Sequence, residues 1–199
     1  MKQPEFFKSI PTIVLRDPLS DFLGSAEDGV IEYSYGEIVK LTGHSCPTVA
    51  GAWLMTTRAL KRLYGDETPQ RGAISVSMRD SADEGVAGVM ASVATFLTGA
   101  TTETGFKGIR GHFDRRDLLS YGQDIDGTMS FERLDTHDRV TVSFNSAVVP
   151  PDPNMMPLLS AAMEPGATQD QKAAFGQVWQ DRVRRIFENA DHLDLIRYS

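Results

Sequence analysis

An α+β fold, with helices packed on an antiparallel sheet and a helical extension at the C-terminus, is the architecture this sequence predicts. Three observations carry it. Short β-branched runs and helical stripes are mixed without the regular strand–helix alternation of a doubly wound parallel sheet. Late in the chain, Met129 and Phe131 and then Val140, Val142 and Phe144 alternate around a polar turn at Asp135 to Asp138, the pattern of an antiparallel hairpin. Beyond the proline-rich stretch from Val148 to Pro153 the remaining pattern is helical. The predicted organisation is a main domain over 1–150 and a helical extension over 151–199.

Taken in order, Thr12 to Leu15 is a short apolar run suited to a strand, and Asp17-Pro18 a turn or helix start. Gly29 to Tyr33 reads as a second strand, and Tyr35 to Leu41 as one or two helical turns running into a loop at Gly43. From Pro47 to Tyr64 the signal is strongly helical. Ala50, Trp53, Leu54, Leu60, Leu63 and Tyr64 fall mostly three and four apart, which gathers them on one face. Proline suits the first helical position because its missing N–H has no partner there, and Gly65 is placed to end the helix. Ala73 to Met78 alternates in part and predicts a strand. Val86, Val89, Met90, Val93, Ala94 and Leu97 make a second helical stripe ending at Gly99, with Ser81-x-x-Glu84 as its capping box. In the extension, Thr168 and Gln171 form another capping box. Phe175, Val178, Trp179, Val183, Ile186 and Phe187 form a stripe that must bury against the main domain or a second copy of the chain.

Bulk composition narrows the function. A hydrophobic fraction of 41% and a charged fraction of 24% belong to an ordinary globular chain. A net charge of -7 argues against sequence-independent nucleic-acid binding, which needs a basic surface. No apolar run approaches the ~20 residues of a membrane span, and Met1 to Arg16 lacks the pattern of a secretory signal, so the expected location is cytoplasmic. With a single cysteine there is no internal disulfide and no four-thiolate zinc ribbon.

That cysteine is the most informative residue. In Leu41-Thr42-Gly43-His44-Ser45-Cys46-Pro47 it stands two residues after a histidine and just before the proline that opens the long helix. A helix N-terminus carries about half a positive charge and unpaired N–H groups, so it stabilises the thiolate, which is the form that binds metals or attacks electrophiles. Thiolate and imidazole together suit zinc and its neighbours. Against this stands an inert, buried cysteine beside a histidine that only closes a loop. Glu84 offers a third, harder ligand, although its capping role weighs more. His112 is the best remaining imidazole donor; His137 and His192 are placed in solvated turns. Gly105 to His112 is a glycine-spaced basic loop in which Lys107 and Arg110 are candidates to hold an acidic substrate, with a simple turn as the equal alternative. Asp114-Arg115-Arg116-Asp117 reads as a solvated, self-paired face. Neither a Walker A loop, a Rossmann fingerprint nor a serine-hydrolase elbow occurs.

Gly43-His44-Ser45-Cys46-Pro47, followed by Val49-Ala50-Gly51 and a long helix, resembles the signature of the FmdE-like family, named after a component of molybdenum formylmethanofuran dehydrogenase. Leu97-Thr98-Gly99-Ala100-Thr101 is similar to the family's Leu-Thr-Gly-Cys-Thr segment, and the hairpin from Phe131 to Phe144 to its aromatic strand pair; coverage runs from Tyr35 to Asn145. The resemblance implies an α+β fold, a homodimer and a transition metal, usually zinc, at His44 and Cys46. Three family ligands are replaced: a histidine by Thr42, a cysteine near the second helix by Asp83 or Glu84, and another cysteine by Ala100. The implied site is therefore open or mixed in its ligands. The leading expectation is a metal-binding protein with an accessory or small-molecule-binding role in molybdenum or tungsten redox or one-carbon metabolism. The alternative is an enzyme in which Cys46, or a metal-activated water, acts on a small acidic substrate. A plain interaction module is the third reading.

Overall fold

The computed structural model describes residues 3–199. A 3-10 turn at Glu5–Ser9 buries Phe7 and leads into strand β1 (Ile13–Arg16). Asp17 then caps α1 (Pro18–Phe22), its Oδ1 accepting from the backbone N–H of Leu19 at 2.9 Å and of Ser20 at 3.4 Å. The chain returns as β2 (Val30–Tyr33), antiparallel to β1 with Ile13 opposite Tyr33. Helix α2 (Tyr35–Thr42) starts in a capping box of Ser34 and Glu37. It stops at Gly43, whose φ of 75° is the left-handed conformation that ends helices.

Helix α3 (Pro47–Tyr64) has the bounds read from the sequence, and its predicted stripe is buried. It comes down so closely on the sheet that a Cβ on Gly51 would stand 2.4 Å from the Phe144 ring. Strand β3 (Ile74–Met78) buries Ile74, Val76 and Met78, the predicted alternation. Helix α4 (Ala87–Thr98) buries Met90, Val93, Ala94 and Leu97 and ends at Gly99.

The start of α4 corrects the sequence reading. Only half of the predicted box forms: Ser81 N–H donates to Glu84 Oε2 at 3.3 Å, whereas Glu84 N–H donates to the Ser81 backbone carbonyl at 3.0 Å and not to its hydroxyl. They close a separate turn. Gly85, at φ 53°, breaks the helical path, and α4 begins behind Val86 with no side-chain cap. Val86, first in the predicted stripe, is 47% exposed.

Strands β4 (Leu119–Ser120), β5 (Met129–Arg133) and β6 (Arg139–Phe144) extend the sheet. Helices α5 (Met155–Met163) and α6 (Gln169–Glu188) follow, and β7 (Ile196–Tyr198) completes the strand order β4-β3-β5-β6-β7. The predicted hairpin is β5–β6, with Met129 opposite Val142 and Phe131 opposite Val140. β4 lies parallel to β3, Val76 opposite Leu119, so this sheet is mixed where a purely antiparallel one was predicted. Both β4 and β7 are too short to show an alternating pattern, and they form because a neighbouring edge offers unpaired backbone groups.

The segment 151–199 shares the main core. Val183 and Ile186 of α6, then Leu195 and Ile196, belong to the same buried cluster as α3 and β3. The Phe187 ring meets Tyr35 edge-on at 4.7 Å, and β7 pairs with β6. No helix among the described residues is long and apolar enough to cross a membrane.

Candidate functional site

Cys46 is the N-cap of α3. Its backbone is extended (φ -147°, ψ 169°), Pro47 takes the first helical position, and Sγ accepts from the Val49 N–H at 3.4 Å. The sulfur thus occupies the place where a serine or aspartate oxygen ordinarily satisfies a helix N-terminus. The preceding loop is held from two sides. The Ser45 hydroxyl bonds Tyr35 Oη at 2.9 Å, and its carbonyl accepts from Trp179 Nε1 at 2.9 Å and Gln180 Nε2 at 3.0 Å. Burial pushes the Tyr35 phenol far above its ordinary pKa, so it stays neutral. Helix α6 therefore clamps the loop, and the thiol, half-buried, sits on a rigid support.

Beside the thiol lies a cleft of about 320 Å³ walled by Pro47, Phe144, Ser146, Trp179 and Arg182. Arg182 is fixed through Nε to the Val149 carbonyl at 2.9 Å and Nη2 to the Ser146 carbonyl at 3.3 Å. Burial and the neighbouring Arg185 lower its pKa from the usual arginine value. The guanidinium remains charged because that value starts so high. The cleft combines a thiol at the positive end of a helix, a fixed cation and two aromatic rings, an arrangement suited to a small acidic molecule with an apolar body.

His44 lies on the exposed loop just before, its Nδ1 2.9 Å from the Thr42 carbonyl. A carbonyl only accepts, so Nδ1 is the donor in this contact, and Nε2 is the ring atom left able to ligate. Glu84 is exposed in the turn before α4, and His112 is exposed beyond β3 and α4. Among the described residues no three of His, Cys, Asp and Glu form a group that could hold a metal ion, and the structure does not bring Glu84 or His112 into such a group with His44 and Cys46.

The basic loop is a tight hairpin. Ile109 and His112 exchange backbone hydrogen bonds at 2.8 and 3.0 Å across Arg110 and Gly111, whose φ values of 49° and 85° are both positive. That is the primed turn that suits a two-residue hairpin, and its glycines serve the backbone. Lys107 and Arg110 are exposed on it, and neither lines the cleft at Cys46.

Arg115 overturns the reading of 114–117 as a solvated face. Asp114 and Arg116 do pair with each other at 2.7 Å, but Arg115 is 5% exposed and bonds Asp17 at 2.6 Å. Asp17 also takes Nη1 of Arg71 at 2.8 Å. Burial alone would raise the Asp17 pKa; the Arg71 hydrogen bond and the charges of Arg115 and Arg71 outweigh it and hold the carboxyl below its ordinary value. The partners lie 98 residues apart, a pairing that local patterns cannot reveal. Trp179 was read only as part of a helical stripe, and Arg182, a single charge on the same helix, gave no signal that would single it out.

The fold and the site define an α+β domain with a helix-capping thiol in a clamped cleft. No protein-family model matches the chain, and no curated protein matches it significantly.

Proposed function

We propose that this chain binds a transition metal ion, zinc first among the candidates, through Cys46 and Nε2 of His44, with a small acidic molecule in the adjoining cleft. The resemblance of the Gly-His-Ser-Cys-Pro segment to FmdE-like proteins gives the setting: an accessory role in molybdenum or tungsten redox or one-carbon metabolism. The observation that carries the metal reading is the His44–Thr42 contact. Ligating histidines commonly donate their second ring N–H to a backbone carbonyl, which fixes the tautomer and ring direction. Two donors do not make a closed structural site, which takes four. The remaining positions go to solvent, to the bound molecule, or to a second copy in a homodimer.

Metal content of the purified protein, with His44→Ala and Cys46→Ser alongside, tests this. Near-stoichiometric metal lost in both variants supports it, and a parent that takes up no zinc at neutral pH ends it. Light scattering with and without a chelator tests the shared-site form, which requires the dimer to dissociate on chelation.

The position of Arg182 favours one other reading, an enzyme in which the Cys46 thiolate attacks a substrate whose acidic group the guanidinium holds. Rapid alkylation of Cys46 in metal-free protein at neutral pH, slowed in Arg182→Met, supports it. An inert thiol removes it.

A further inference from the structure

The Asp17 cluster leaves positive charge unmatched: two guanidiniums, Arg71 and Arg115, face one carboxylate. Arg115 spends only Nη2 on Asp17, while its Nε and Nη1 are fully buried and have no partner among the described residues. An unpaired buried donor on a charged group is expensive; Arg115 does not line the cleft that Arg71 walls, so its orphan donors mark uncompensated positive charge in the cluster and are not themselves contacts for a ligand. The packing around it is close. A Cβ on Gly72, whose φ is +84°, would stand 1.5 Å from Arg115 Nη1, and one on Gly99 would stand 3.0 Å from that atom and 3.4 Å from Arg71 Cγ. Both glycines let the two guanidiniums lie side by side.

Arg71 forms part of the wall of a cleft of about 490 Å³ between α4 and the 101–104 segment. Of its five N–H groups, Nε and Nη2 each give one to the Phe96 carbonyl at 3.3 Å, and Nη1 gives one to Asp17. One N–H on Nη1 and one on Nη2 have no partner among the described residues. Around the cleft stand the hydroxyls of Ser92, Thr95, Thr102 and Tyr121, with Phe96 and Leu119 supplying apolar wall.

We propose that this cleft is a second ligand site, independent of Cys46, that binds a small monocarboxylate with an apolar body. The carboxylate would take the free N–H pair of Arg71, and its single charge would balance the excess of the cluster. Guanidinium and carboxylate match in planar two-bond geometry. The excess is one unit, so a dianion such as phosphate overshoots it, and the partly apolar wall has room for more than a bare anion.

Calorimetric titration of the full chain at pH 8 with phenylacetate, with phenylacetamide as the neutral control and inorganic phosphate, chiefly the dianion at that pH, tests the site. Two variants accompany it. Ser92→Phe fills the cleft from α4 without touching the ion cluster, because the Ser92 hydroxyl bonds only the Val89 carbonyl of its own helix. Arg71→Lys keeps the charge and loses the fork. The expected result is saturable phenylacetate binding, at least about tenfold weaker for the amide and for phosphate, abolished in Ser92→Phe and weakened about tenfold in Arg71→Lys. Absence of phenylacetate binding up to ~10 mM, about −2.7 kcal/mol at that Kd, overturns the proposal. Equal binding of the amide, or undiminished binding in a folded Ser92→Phe, does the same. The titration repeated in Arg182→Met, which removes the cation of the cleft at Cys46, must still show this binding; its loss there assigns the binding to the thiol cleft and overturns the proposal.

Discussion

Asp17 does two jobs: it caps α1 with Oδ1 and draws Arg71 and Arg115 together. Replacing it by Asn keeps a capping oxygen and removes the charge that one buried and one half-buried guanidinium face. Breaking such a pair costs about 3–5 kcal/mol, so Asp17→Asn should lower the urea midpoint strongly with little change in slope. The pH dependence follows from the same contact. The folded pKa lies below the ordinary 3.8, so the unfolded chain binds the proton more readily. The contribution of Asp17 is therefore complete above that ordinary value and is lost as pH falls through the lower, folded one. Denaturation curves between pH 6 and pH 2.5 should show acid destabilisation in the parent, reduced in Asp17→Asn. At Cys46 the cap and the chemistry separate. Serine caps as well as or better than the thiol, so Cys46→Ser should stay within about 0.5 kcal/mol of the parent, and Cys46→Ala should lose about 1 kcal/mol. Both variants should abolish the proposed metal uptake or alkylation, and thermal unfolding beside a zinc assay reads the two effects apart. His44 and Cys46 were legible because they adjoin a helix start. Arg115 was not, because a charge run looks the same whether it faces water or Asp17.

Elements with long periodic patterns were the readable ones. Pro47–Tyr64 and the β5–β6 hairpin follow from apolar spacing and terminal residues alone. The two-residue β4 and three-residue β7 hold no period, and the capping box read at Ser81–Glu84 closes only a turn, separated from α4 by the positive φ of Gly85. The close approach of α3 to β6 at Gly51 gives a prediction at this scale. An added methyl meets the Phe144 ring at 2.4 Å. Overpacking costs about 1–3 kcal/mol and the better helix propensity of alanine returns about 1. Gly51→Ala should thus be destabilised by up to about 2 kcal/mol. Because Phe144 also walls the cleft at Cys46, the alkylation rate of the thiol should change with it. A fluorogenic maleimide read against the urea midpoint checks both.

Across the whole molecule, the C-terminal segment is structural. Val183, Ile186, Leu195 and Ile196 are buried, and full burial of such side chains is worth about 1.5–3 kcal/mol each, roughly 6–12 together. That is comparable with the entire stability of a domain, about 5–15 kcal/mol. Removing residues 151–199 also uncovers the β6 edge and the Tyr35 ring. The truncated chain should lose its cooperative thermal transition by circular dichroism; a fold retained to a melting temperature near the parent's would contradict this. Length, composition and apolar period by themselves determined the α+β class, the long central helix, the hairpin and the thiol at a helix start, because each is a local property of a few neighbouring residues. Only the tertiary structure decided that α6 clamps the Cys46 loop, that Arg182 is fixed beside the thiol, and that Asp17 meets two arginines. The hydrogen bonds that do this join residues 33 to 135 positions apart, and their partners are chosen by the packing of elements, which no window along the chain contains.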